Sequence, residues 1–128
     1  MPDTRSHRGP HPEDHRLFAP ETLAVLREAA GDLTWLLNRA YPSTAAQKLV
    51  GDRYQLAARQ RTAVARCVCS DTEMIERQRR QVPGETLVGR PLLLDGYNVL
   101  TTVEAALAGG VILAARDGTL RDMASMHG

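Results

Sequence analysis

The stretch Leu92-Leu93-Leu94-Asp95-Gly96-Tyr97-Asn98-Val99-Leu100 decides how the chain is read. Three consecutive leucines directly after Arg90-Pro91 match a short strand buried on both faces, the kind found in parallel sheets. Asp95-Gly96-Tyr97-Asn98 breaks the run. In open α/β sheets ligands collect at the carboxyl ends of strands, so Asp95 stands where a site would form. The glycine beside it leaves the backbone free to turn and aim the carboxylate into a crevice.

Working outward, Thr102 to Ala108 is helix-like and closes on Gly109-Gly110. Val111 to Ala115 is a second apolar run, stopped by the turn signal Asp117-Gly118. Strand, helix, strand is the opening of a βαβ unit. Toward the N-terminus, residues 83–90 read as a linker, and residues 17–82 change to a helical period. Pro20 and Glu21 open a helix, with proline in the first turn and an acid at the positive dipole end. Leu23, Leu26, Ala30, Leu33, Leu37 and Ala40 then recur in steps of three and four, and Pro42 ends the helix. Ser43 caps a short helix to Val50, with Gly51 as its stop. Leu56 to Cys69 is a third helix, with Ala57, Gln60, Val64 and Val68 inward and Cys67 nearer the core. Ser70-Asp71-Thr72-Glu73 is a capping box that opens a fourth, with Glu73–Arg77 and Glu76–Arg80 in the favourable orientation. Residues 1–16 hold three prolines and few apolar side chains, and read as a disordered tail. The expected class is therefore α+β: a small helical bundle over 17–82, then the opening strand-helix-strand of an α/β domain over 91–128.

Composition narrows the function. Of 128 residues, 16 are basic and 15 acidic, which excludes a histone-like polycation. No apolar run approaches the roughly 18–20 residues that span a bilayer, and no membrane is expected as a partner. Cys67 and Cys69 cannot make a disulfide framework, which fits a reduced, cytoplasmic compartment. Residues 1–82 carry a net +3 and residues 83–128 a net −2, so acids gather beside the strand-like segments.

Mg²⁺ and Mn²⁺ prefer carboxylate oxygens, and converging acids could activate water against a phosphodiester. Asp95, Asp117 and Asp122 are the candidate metal-binding acids, and Glu104 is a weaker one. The bland reading of Asp117 is a tight Asp-Gly turn, and of Glu104 an exposed helical acid. Arg53, Arg59 and Arg66 are the nucleic-acid candidates; Arg59 and Arg66, seven apart, share a helix face. No aromatic side chain is interleaved for base stacking, which favours a solvated face with local ion pairs. His7, His11 and His15 recur every four residues, but Pro10 and Pro12 interrupt the helix that would align them. Trp35 lies off the main stripe of its helix, as though that helix were buried on two sides.

The segment Leu92 to Leu100 resembles the first strand of the NYN/PIN-like nucleases, in which an apolar strand ends in D-G-Y/F-N followed by Val or Ile. The resemblance implies that Asp95 is the first metal-coordinating acid, for Mg²⁺ or Mn²⁺. It implies that Asn98 steadies that loop or contacts substrate. HPEDHRLFAPETL, LLNRAYP, LVGDRYQLAARQR and the stretch from Asp95 to Gly128 resemble a bacterial and archaeal family known as domain of unknown function 434, followed by a PIN-like domain. In such proteins the PIN-like part continues further, so the resemblance implies a C-terminal portion missing from this chain and an incomplete site. Two functions follow: a metal-dependent nuclease acting on RNA or DNA, or a non-catalytic helical module that binds RNA or a protein. An unfinished sheet exposes strand edges and apolar faces, so a homo-oligomer or aggregation is expected.

Overall fold

In a computed structural model the described residues are 10–124. Helix α1 is a single turn, Asp14–Leu17; α2 spans Pro20–Asn38, α3 Ser43–Arg53, α4 Ala58–Cys67 and α5 Asp71–Arg80. A 3₁₀ turn at Gly84–Leu87 leads to α6, Gly96–Leu107, and to strands β1, Ile112–Ala114, and β2, Leu120–Asp122. The described residues are thus mostly helical with one two-stranded antiparallel sheet, an α+β arrangement.

Helix α2 begins at Pro20, whose missing N–H costs nothing at a first helical position. Its inward stripe is broader than the sequence predicts. Leu26, Ala29, Leu33 and Leu36 are buried, while Leu23, Ala30 and Leu37 pack partly against them. Ala46 and Val50 of α3, Leu56, and Val64 of α4 complete the core. Leu33 at its centre is 1% exposed. Gly51 does not stop α3, which runs on to Arg53. It is instead a point of close approach: a Cβ there would lie 2.7 Å from Arg61 Nη1. Ser70 caps α5 as expected, its hydroxyl accepting from the Glu73 amide at 3.2 Å.

Three helices end the same way. The Tyr41 amide donates to Leu36 O, Leu56 to Gly51 O and Gly110 to Ala105 O, each one residue beyond a left-handed position. Those positions are Ala40, Gln55 and Gly109, and only the last is the glycine that this conformation favours.

Other sequence expectations fail as well. Leu92–Leu94 is no strand but an exposed connection, with Leu93 99% exposed. A strand requires at least one hydrogen-bonded neighbour, and no described segment pairs with these leucines. The second apolar run is a strand, yet it pairs antiparallel with β2, Ile112 opposite Asp122 and Ala114 opposite Leu120, so no βαβ unit forms. Of the tail expected over residues 1–16, residues 1–9 lie outside the described residues, and Asp14 is buried at the start of α1 and paired with Arg59. Cys69, not Cys67, is the deeper cysteine, and Trp35 is half exposed with the Arg39 guanidinium 3.4 Å over its ring. No described helix is long and apolar enough to cross a membrane.

Candidate functional site

Asp95 caps α6. Its Oδ1 accepts from the Asn98 amide at 3.4 Å and its Oδ2 from Asn98 Nδ2 at 2.5 Å. The D-G-Y-N motif is thus a helix start, in which the acid satisfies an orphan amide and sits at the positive end of the helix dipole. Both residues are exposed. The carboxylate faces solvent, but its oxygens are engaged locally.

Asp117 is different. Its side chain is 2% exposed and accepts four hydrogen bonds. Thr119 N and Oγ1 donate to Oδ1 at 3.0 and 2.6 Å. Arg77 Nη1 and Arg121 Nη2 donate to Oδ2 at 2.9 and 3.1 Å. Burial disfavours its charge, but these donors outweigh burial and hold the carboxyl well below the usual range. Asp117 is the hub that ties the β1–β2 turn to α5. Asp122 is buried too, accepting from Thr102 Oγ1 at 3.0 Å and from the Ala124 amide at 2.8 Å. That bond joins β2 to α6.

Mg²⁺ or Mn²⁺ would need several oxygen ligands aimed at one point. The described residues hold no group of three or more His, Cys, Asp or Glu that could bind a metal ion. Asp95 spends its oxygens on Asn98, Asp117 on two arginines and a threonine, and Asp122 on Thr102 and a backbone amide. Among the described residues these acids do not by themselves make up a site for the ion. His7 lies outside the described residues, and His11 supplies its ring nitrogen to the Glu13 amide at 3.1 Å.

The candidate arginines are occupied within the chain. Arg59 Nε meets Asp14 Oδ1 at 2.5 Å, and its Nη2 meets Oδ2 at 3.0 Å, a two-point contact between α4 and α1. Arg66 donates to the carbonyls of Asp122 and Ala124 at 3.1 and 2.6 Å, fastening β2 to α4. Arg53 lies 3.6 Å from Asp32 and over the Tyr54 ring, whose hydroxyl also donates to Asp32. Sequence reasoning missed the long-range contacts of Arg77 and Arg116, which join α5 to the hairpin, and the pairing of Arg121 with Asp117 inside the hairpin. Arg116 reaches Cys69 O at 2.9 Å and pairs with Asp71. One signal was readable: Asp117-Gly118-Thr119 is an Asx-turn sequence, which predicts local bonds for that carboxylate.

An exposed apolar surface lies on the last helix and before it. On α6, Thr101 and Ala105 face inward. Leu100, Val103 and Leu107, spaced three and four apart, form a second stripe on the outside, with Leu107 85% exposed. Leu92, Leu93 and Leu94 extend the exposed apolar surface before the helix.

Comparison with known proteins gives families, not an activity. Residues 25–80 match a family described as a protein of unknown function (DUF434), and residues 84–128 match one described as a domain of unknown function (DUF5616). An uncharacterized protein of Methanocaldococcus jannaschii is 29% identical over 103 residues, which are 80% of this chain and 50% of that protein. The chain spans about half the length of this curated relative. No solved structure matches. Together the matches support a family of unknown function.

Proposed function

We propose that this chain is a non-catalytic interaction module whose docking element is α6 with the leucine run before it. The observation that carries this reading is the outer stripe Leu100, Val103 and Leu107 on a helix whose inner face is already packed. A helix apolar on both sides has the pattern of one covered on both sides. Contiguous exposed apolar surface of this kind marks protein contacts. A second copy of the chain presents the same stripe, and a two-fold axis would bury one against the other. Sedimentation should therefore give a dimer for the wild type. Leu100→Glu with Leu107→Glu should give a monomer with unchanged helical content. A wild type that stays monomeric at high concentration rules out self-docking.

A second reading, a metal-dependent nuclease on RNA, draws on the exposure of the Asp95–Asn98 corner at the start of α6. It needs further carboxylates from outside the described residues to complete the set for Mg²⁺ or Mn²⁺. RNA cleavage that depends on added metal and is lost in Asp95→Asn would favour it. Equal cleavage by both proteins would remove Asp95 from the chemistry.

A further inference from the structure

A groove of about 570 Å³ opens between α2, α4 and β1, and none of its lining comes from α6. Its volume falls in the range of small-molecule sites. Leu26, Ala63, Val64 and Leu113 are its buried apolar residues. Gly31 lies on its wall, where an added Cβ would meet nothing within 4 Å. The lining has two guanidinium groups, Arg27 and Arg116, and no carboxylate. Arg116 is committed to Cys69 and Asp71. Arg27, itself exposed, has no ion-pair or hydrogen-bond partner among the described residues, although it lines a mostly apolar space.

The geometry points to a binding site for a small amphiphilic anion: an aliphatic body along the floor and one carboxylate at Arg27. A guanidinium is suited to this, because it presents paired donors to a carboxylate and keeps its charge. Cys67, half-buried in the same wall, supplies a reporter for occupancy.

Decanoate, kept below its micelle-forming concentration, is the probe. Calorimetry on the full chain should show one saturable site, and bound decanoate should slow the reaction of Cys67 with a thiol reagent. Arg27→Gln should weaken decanoate about tenfold, the loss of one charge-assisted contact. Decanol, lacking the charge, should bind wild type and Arg27→Gln alike. Gly31→Leu fills the groove while improving helix propensity, and should abolish binding in a protein that still melts cooperatively. A folded wild type that shows neither saturable heat nor slowed Cys67 reaction overturns the assignment. So does binding undiminished in a folded Gly31→Leu variant.

Discussion

Arg77 Nη1 donates to Asp117 Oδ2 at 2.9 Å, joining the middle of α5 to the turn between β1 and β2. The carboxylate is 2% exposed while the arginine side chain is 45% exposed. The contact therefore anchors the hairpin at little desolvation cost to the cation, and Arg121 and Thr119 supply the remaining donors. Asp117→Ala leaves these donors facing an empty space. It should cost about 2–3 kcal/mol of stability, less than a fully buried pair because solvent reaches both arginines. A urea titration measures the loss, and an unchanged midpoint would deny Asp117 its anchoring role.

The same carboxylate sets an acid limit. Its folded pKa is depressed, so its contribution is fully present above the unfolded carboxylate pKa of roughly 3.9. It is lost as pH falls through the folded value. Asp14, held down by Arg59 and the His11 amide against the opposing effect of burial, acts in the same direction. Stability measured from pH 5 downward should fall more steeply in the wild type than in Asp117→Asn.

Asp95 is a cap, and its removal should behave like the loss of one. Asp95→Ala should cost about 1 kcal/mol, whereas Asp95→Asn should cost less because asparagine caps equally well. Amide exchange should accelerate over residues 96–99 and stay unchanged in α2. Accelerated exchange throughout the bundle would contradict a local role.

Arg59 and Arg66 should matter to folding before they matter to any ligand. Arg59→Gln leaves Asp14 without its two-point partner and should lower stability by about 1–3 kcal/mol. Arg66→Gln should loosen β2, seen as faster exchange at Leu120–Asp122. Salt-dependent RNA binding that vanishes in either variant, with thermal stability unchanged, would restore their nucleic-acid role.

Leu33→Ala tests the core. Leu33 is 1% exposed at the middle of α2, so truncation should cost about 3–5 kcal/mol. Chemical unfolding monitored by circular dichroism reads it directly. A cost below about 1 kcal/mol would mean that the bundle is not packed around this side chain.

The helical bundle was legible because its signals are local. The three-four spacing of α2, Pro20 at its start and the Ser70 cap all act within a few residues. The Asp117-Gly118 turn was equally visible, and its bland reading as a turn matches the structure. Leu92–Leu94 misled because strand formation depends on partners elsewhere, and the described chain supplies none. Strand β2 escaped because Leu120-Arg121-Asp122 is short and polar, and its pairing comes from the turn and from Arg66. The arginine roles were hidden for a related reason. Arg59 and Asp14 are 45 residues apart, and Arg77 and Asp117 are 40 apart, so only the folded chain introduces them.

Leu56 follows the left-handed Gln55 and donates its amide to Gly51 O, while its side chain lies in the core. The last turn of α3 therefore cannot fray on its own, because unwinding it would pull a leucine out of the interior. Its amide should exchange with solvent only when the entire bundle opens, which makes this corner a reporter of global rather than local unfolding.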